Sequence, residues 1–225
     1  MSDAITVVNK DTFWMLIDHA RQHSGGPNEW LMEQLVSLGP EQARKFDAIS
    51  RVYMDAAYQY GLWTAASVME RNGCSDDGFI DFRAWLVGQG REVYMAALKD
   101  PDSLVHASPY QDCQFGLLPY MGDYAYEELT GRDIYQDFDL AEYRALEGEI
   151  KPDIVYGDGI EYPYTWSDTA VYLPKLCAKY LTPEELAGRI RQCDDTWNIT
   201  SPEIKKARAA AKKSKKFKRN RGDAR

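Results

Sequence analysis

Residues 74–86 read CSDDGFIDFRAWL, and this stretch, which we call the signature segment, decides how the chain folds. It places Asp77, Asp81 and Arg83 among large aromatic side chains. Charged groups in such surroundings are costly unless they are paired or used in binding. The segment therefore indicates either structural ion pairs or a binding site.

The signature segment predicts a helix over residues 76–88. Ser75 is a suitable N-cap, and Asp76 and Asp77 lie in the first turn, where carboxylates favour the helix dipole. At about 100° per residue, one side of this helix carries Phe79, Phe82 and Leu86. The opposite side carries two carboxylates and two small residues, namely Asp77, Asp81, Ala84 and Gly88. We expect a central helix whose acidic strip lets another chain segment or a ligand approach closely.

This helix and its neighbours supply the candidate ligand-binding residues. They are Trp63, Asp77, Asp81, Arg83, Trp85 and Arg91. Two interpretations of the aspartates stay open: they cap the helix and pair with arginines, or they hold a cationic ligand. The two tryptophans equally suit core packing. Two carboxylates without a nearby histidine or third acid do not indicate a metal site, and we predict none.

Helical periodicity dominates the rest of the chain, so we predict a mainly α fold. The other predicted helices cover residues 11–24, 29–38, 40–61, 62–69, 91–98, 119–129 or 122–129, 168–180 and 183–193. A chain of 225 residues with 44% hydrophobic content can bury one sizeable core or two small ones. We expect a single-domain helical bundle over residues 1–200 and a basic, disordered tail over residues 201–225.

Residues 131–165 show the least regular pattern and are rich in tyrosines and acids. The aromatic residues are Tyr135, Phe138, Tyr143, Tyr156, Tyr162 and Tyr164. They are interleaved with Asp133, Asp137, Asp139, Glu142, Asp153, Asp158 and Glu161. Such a segment can form a recognition surface for a protein partner, or it can simply lay aromatic side chains over a helical core.

The net charge of −8 is distributed very unevenly along the chain. Residues 205–225 hold 11 of the 27 lysines and arginines and one aspartate, so they carry +10 and residues 1–204 carry −18. Three roles for the tail stay open. It can be a solvated extension, it can contact nucleic acid weakly, or it can dock to an acidic partner or to the acidic body of the same chain. The candidate contacts are Lys212, Lys213, Lys215, Lys216, Lys218, Arg219 and Arg221.

Cysteine, histidine and motif patterns predict no cofactor. Cys74, Cys113, Cys177 and Cys193 form no Cys-x-x-Cys pair, and no histidine lies beside them, which favours reduced thiols in the cytoplasm. Gly-x-Ser-x-Gly, phosphate-loop, dinucleotide-binding and His-Glu-x-x-His motifs are absent from the sequence. No apolar run approaches the roughly 18 residues that span a bilayer, so we expect no membrane association.

Three stretches resemble a known family. They are Phe13-Trp14 with Ile17-Asp18, residues 74–104, and residues 166–180. Together they resemble bacterial proteins grouped as domain of unknown function 4240, over most of residues 10–182. The resemblance implies a small cytosolic protein with no assigned reaction, cofactor or catalytic residue.

The leading functional hypothesis is a non-enzymatic binding or interaction module with an acidic, aromatic surface. One alternative is an unrecognised enzyme that uses the carboxylates of the signature segment in a pocket. The other is a nucleic-acid-associated protein that binds through its tail.

Removal of residues 205–225 tests the role of the tail. We expect the truncated chain to fold normally but to lose any binding to nucleic acid, because the lysines and arginines there release counterions from phosphates. Circular dichroism checks the fold, and fluorescence anisotropy with a DNA duplex checks the binding. Raising the salt from about 50 to about 200 mM should weaken binding of the full chain at least tenfold. Binding that persists after truncation would refute the assignment.

Overall fold

The structure, a computed structural model, describes residues 5–71, 73–110, 115–162 and 164–193. Within these ranges it contains helices and no strand, which confirms the predicted mainly α fold. The α-helices are α1 (Lys10–Gln22), α2 (Pro27–Leu38), α3 (Pro40–Ala56), α4 (Tyr60–Met69), α5 (Asp76–Gly88), α6 (Arg91–Lys99), α7 (Met121–Thr130), α8 (Leu140–Ile150), α9 (Trp166–Tyr172), α10 (Pro174–Tyr180) and α11 (Pro183–Cys193).

Several helix ends follow the local rules that predicted them. Helix α5 has the predicted bounds, and Pro40 and Pro183 each begin a helix. At α11, Thr182 N–H donates to Glu185 Oε2 at 2.7 Å, and Glu185 N–H donates to Thr182 Oγ1 at 3.2 Å. These reciprocal bonds form a capping box, the pairing typical of a Thr-x-x-Glu sequence at the start of a helix.

The prediction of one continuous helix through Pro174 is wrong. Helix α9 ends at Tyr172, Leu173 takes the non-helical angles φ −124° and ψ 49°, and Pro174 begins α10. Proline lacks an N–H and its ring clashes with the preceding turn, so it interrupts a helix but suits a first helical position.

Residues 131–165 are more regular than the sequence indicated, since they contain helix α8. Asp139 is its N-cap, and its side chain accepts hydrogen bonds from the N–H groups of Ala141 and Glu142 at 2.8 and 3.3 Å. Two short 3₁₀ segments, Ile134–Asp137 and Lys151–Asp153, flank this helix. The remaining described part of 131–165 is irregular, as predicted.

The chain divides into two compact units. The first comprises the described residues of 1–58, 76–95 and 108–154, and the second comprises those of 59–75, 96–107 and 155–225. The expectation of one domain over residues 1–200 stays a prediction. None of the helices in the described ranges has the length and apolar character required to cross a bilayer.

An aromatic cluster forms the core of the first unit. Phe13 and Trp14 of α1 pack against Phe46 and Tyr53 of α3 and Tyr94 of α6, with ring centroids 4.6–5.4 Å apart. All five side chains are buried. The Tyr94 hydroxyl donates to Tyr53 O at 2.6 Å, so the polar atom of this buried side chain has a partner.

Helices α3 and α7 approach closely at Gly122. A Cβ atom at this position would lie 2.7 Å from both Ala43 O and Asp47 N. Only glycine allows the two backbones to be so close. This contact brings the first turn of α7 against the N-terminal half of α3.

The second unit is organised around the buried carboxylate of Asp102. Asp102 Oδ1 accepts hydrogen bonds from the N–H groups of Lys175 and Leu176 at 3.0 and 2.9 Å. These donors lie in the first turn of α10, where helical N–H groups lack partners. In the same unit, Gly61 N–H donates to Ile160 O at 2.7 Å, which holds the start of α4.

The Gly122→Ala substitution tests the close approach of α3 and α7. We expect it to lower the free energy of unfolding by about 2 kcal/mol, because the new methyl group must push two backbones apart. Gly148→Ala in α8 is the matched control, since a Cβ there meets nothing within 4 Å. The control should be stabilising by up to about 1 kcal/mol. Urea unfolding measures both, and equal stability of the two variants would contradict the packing described.

Candidate functional site

Arg83 is the charged residue of the signature segment that the structure buries. Its side chain is 8% exposed, Nη1 donates to Met54 O at 2.9 Å, and Nε donates to Phe79 O at 3.3 Å. Met54 lies in the last turn of α3, where carbonyl groups lack helical partners. The guanidinium therefore caps the C-terminus of α3, where a positive charge is favourable.

Further contacts hold the Arg83 guanidinium in place. Its carbon Cζ lies 5.0 Å from the Tyr58 ring centroid and 5.4 Å from that of Phe79, within cation–π range. Asp55 Oδ1 lies 3.9 Å from Nη1 and is largely exposed. The Asp55 carboxylate also accepts a hydrogen bond from the Tyr143 hydroxyl of α8. Burial raises the pKa of Tyr143, and this hydrogen bond raises it further.

A cavity of about 520 Å³ lies beside Arg83 in the first unit. It lies among α3, α5, α7 and α8 and the segments that precede α7 and α8. Its apolar wall consists of Met54, Ile80, Pro119, Phe138 and Leu140. The other lining residues are Asp47, Ser50, Arg51, Asp55, Arg83, Tyr120, Asp123, Tyr135 and Tyr143. The signature segment thus forms one wall of a mostly apolar cavity with several polar groups.

A second arginine of the cavity is paired within α3. Arg51 Nε donates to Asp47 Oδ2 at 2.5 Å, and Arg51 Nη2 donates to Asp47 Oδ1 at 3.2 Å. The guanidinium carbon of Arg51 lies 4.3 Å from the Tyr135 ring centroid. Asp47 is only 6% exposed, and burial raises the pKa of its carboxyl although the bonds from Arg51 oppose this shift.

Three polar groups of the cavity have no partner among the described residues. Ser50 is 1% exposed, and its hydroxyl oxygen makes no hydrogen bond. The Tyr120 hydroxyl and the Asp123 carboxylate are half-buried and likewise make neither a hydrogen bond nor an ion pair. Burial raises the pKa of both Tyr120 and Asp123. A fully buried polar atom without a partner is rare, so the Ser50 hydroxyl marks a place where a ligand can bind, and the more accessible Tyr120 and Asp123 groups can add hydrogen bonds there.

The acidic strip of α5 divides into two parts. Asp77 and Asp81 are exposed and are absent from the cavity lining. Ala84 and Gly88 are buried, and a Cβ at Gly88 would lie 2.1 Å from Phe115 O. We predicted that another segment or a ligand would approach this strip closely. At the C-terminal end of the strip, the segment at Phe115 in the same unit makes this approach.

The other predicted ligand-binding residues occupy separate places. Trp85 is 2% exposed in the core. Arg91 Nη1 lies 3.3 Å from Asp11 Oδ1, and both side chains are well exposed. Trp63 belongs to the second unit, where its indole N–H donates to Cys74 O at 2.8 Å. Of the six predicted residues, Arg83 lines the cavity, and a binding role for the others stays a prediction.

The sequence interpretation missed the polar face of α3. Five lining residues come from this helix, namely Asp47, Ser50, Arg51, Met54 and Asp55. Their spacing is that of one helical face, so the signal was present in the sequence. We missed it because the apolar residues on the neighbouring face of α3 are enough to predict a helix. The polar residues were therefore not considered as a separate face.

In the part of the chain that the structure describes, no three His, Cys, Asp or Glu side chains come together in a group that could hold a metal ion. There, His19 and His23 pack their rings against Trp30, with centroids 6.2 and 5.8 Å away. Cys74 Sγ donates to Ser75 O at 3.6 Å, and Cys177 is buried. The predicted tail contacts at residues 212–221, and the predicted tail itself, lie outside the described residues.

Comparison with known proteins identifies a family. The family model described as "Protein of unknown function (DUF4240)" matches residues 8–128, which is more than half of the chain. The matched region includes α3, α5 and nearly all of α7. No curated protein and no solved structure matches the chain.

The Arg83→Lys substitution tests the capping role of the guanidinium. We expect it to lower the free energy of unfolding by about 2 kcal/mol, because an ammonium group cannot reproduce the forked donors and the stacking of arginine. The matched control is Arg91→Lys, whose exposed ion pair should change stability by less than about 0.5 kcal/mol. Urea unfolding gives both values, and a loss at Arg83 no larger than at Arg91 would argue against the capping role.

Proposed function

The chain belongs to the DUF4240 family, whose description assigns no activity, and from the geometry of its first unit we propose that it binds a small organic molecule. The ligand occupies the cavity among α3, α5, α7 and α8. This makes the protein a non-enzymatic binding module. A protein partner for its acidic, aromatic segment, a nucleic-acid contact through its tail and a cytoplasmic location are further proposals from the sequence.

The observation that carries this proposal is the unpartnered Ser50 hydroxyl in the lining of a sizeable cavity. The volume of about 520 Å³ lies within the range of known ligand sites, which run from roughly 300 to 1,000 Å³. Such sites combine apolar walls with a few placed polar groups. Met54, Ile80 and Pro119 supply part of the wall. Polar groups come from Ser50, whose hydroxyl has no partner, and from Asp123.

The chemistry of the lining favours binding over catalysis. Ser50 is a weak nucleophile without a base, and its hydroxyl makes no hydrogen bond that could activate it. Arg51 and Arg83 are already engaged within the protein. The groups left over can recognise a ligand, but they form no nucleophile–base pair.

An acid–base enzyme is the second candidate, and the raised pKa values of Asp47 and Asp123 favour it. Their carboxyl groups line the same cavity and belong to α3 and α7. The catalytic carboxylates of such an enzyme would therefore be these two. The carboxylates of the signature segment, which the sequence suggested, are exposed.

Narrowing the cavity tests the binding proposal. Ile80 lines the cavity and is 41% exposed, so Ile80→Trp adds bulk at its rim while the helix core is kept. The neutral aromatic alcohol tryptophol is a suitable probe, and isothermal titration calorimetry measures its affinity. We expect binding to the native chain and a loss of at least about tenfold in the variant, because the added ring occupies ligand space.

The matched control is Leu129→Trp, at a position of α7 that is similarly exposed, at 37%, and does not line the cavity. This variant should bind tryptophol like the native chain. Circular dichroism checks that both variants fold. The proposal fails if the native chain binds none of tryptophol, its cationic analogue tryptamine and its anionic analogue indole-3-acetate at millimolar concentration.

A further inference from the structure

The unpartnered groups of the cavity define what a ligand must offer. Hydroxyl groups such as those of Ser50 and Tyr120 can donate or accept a hydrogen bond, whereas an ionised carboxylate such as that of Asp123 only accepts. A ligand that satisfies Asp123 must therefore donate. A positively charged donor does so best, because charge-assisted hydrogen bonds are about twice as strong as neutral ones.

The two arginines that line the cavity, Arg51 and Arg83, already make contacts within the protein. Arg51 donates twice to Asp47 and lies over the Tyr135 ring. Arg83 donates to two backbone carbonyl groups and lies near Asp55. An anionic ligand would have to displace these contacts and would face the unpaired charge of Asp123. The electrostatics of the cavity thus disfavour an anion.

The walls of the cavity suit the rest of such a ligand. Four rings line it, namely Tyr120, Tyr135, Phe138 and Tyr143. Aromatic faces attract cations and also pack against flat apolar groups. Together with Met54 and Ile80, they favour an aromatic body next to the charged donor.

We infer that the ligand of this cavity is an organic cation, an aromatic amine whose ammonium group is held by Asp123 and whose apolar body lies among the four rings. The inference rests on the proposed function and names the ligand class for the same site. Tyr120 and Ser50 line the same cavity, and their hydroxyl groups can make further hydrogen bonds to the ligand.

The surroundings of Asp123 are consistent with this assignment. Burial raises the pKa of its carboxyl, Arg51 lowers it, and Asp133 and Glu127 raise it further. The positive charge of Arg51 therefore does not fully compensate the carboxylate. A bound ammonium group would supply the missing compensation.

Three matched probes test the ligand class. Tryptamine, tryptophol and indole-3-acetate share an indole ring and differ in carrying a positive, a neutral or a negative polar end. Isothermal titration calorimetry with the full chain should show tryptamine binding about tenfold or more tighter than tryptophol, as a charge-assisted hydrogen bond in place of a neutral one implies. Indole-3-acetate should bind most weakly.

Charge-removing variants assign the preference to one residue. Asp123→Asn should reduce the affinity for tryptamine about tenfold and leave that for tryptophol nearly unchanged. The matched control is Asp77→Asn, which removes the same charge from an exposed position outside the cavity. It should leave both affinities unchanged. Equal losses in the two variants would mean long-range attraction by the acidic surface and would overturn the role of Asp123.

The outcomes separate this inference from the function on which it rests. If the native chain binds tryptophol or indole-3-acetate as tightly as tryptamine, the cavity binds ligands but the cation class is overturned. If none of the three probes binds, the proposed function itself has failed. A preference for tryptamine that disappears in Asp123→Asn supports both.

Discussion

The buried guanidinium of Arg83 is the contact on which the first unit depends. A charge that is 8% exposed is costly unless it is compensated, and Arg83 donates hydrogen bonds from Nη1 and Nε to the carbonyl groups of Met54 and Phe79. Because Met54 lies at the end of α3, the same bonds fix α5 against that end. Helix α5 then presents Ile80 and Arg83 to the cavity and leaves its aspartates exposed.

The cavity follows from this arrangement together with the close packing at Gly122. Glycine lets α7 approach α3, which places Asp123 beside the polar face formed by Asp47, Ser50 and Arg51. Both arginines already contact carboxylates of the protein, Arg51 with Asp47 and Arg83 with Asp55, so neither charge is left for a ligand. What is left for a ligand is a small set of unpartnered oxygens next to aromatic rings. That set, rather than the number of charged residues, determines the ligand chemistry that we propose.

Local physical rules explain most of what could be predicted from the sequence. The bounds of α5, the capping box of α11 and the prolines that begin α3 and α11 follow from side chains within a few residues of each helix end. Pro174 obeyed the same rule, although we expected a continuous helix through it. The candidate site was predicted less well, since Arg83 was the one chosen residue that lines the cavity. Asp47, Ser50 and Asp123 were missed because their role depends on which helices come together.

The sequence by itself determined the mainly α fold, the family, and the bounds of α5, the helix of the signature segment. Each of these follows from periodicity, capping or motif, which are properties of neighbouring residues. The tertiary structure alone decided which charge of that segment is buried and which polar groups find no partner. Partners such as Met54 for Arg83 lie 29 residues away in the chain, and the packing of helices chooses them. For the same reason, no local pattern could indicate that Ser50 would be left without a hydrogen bond inside a cavity.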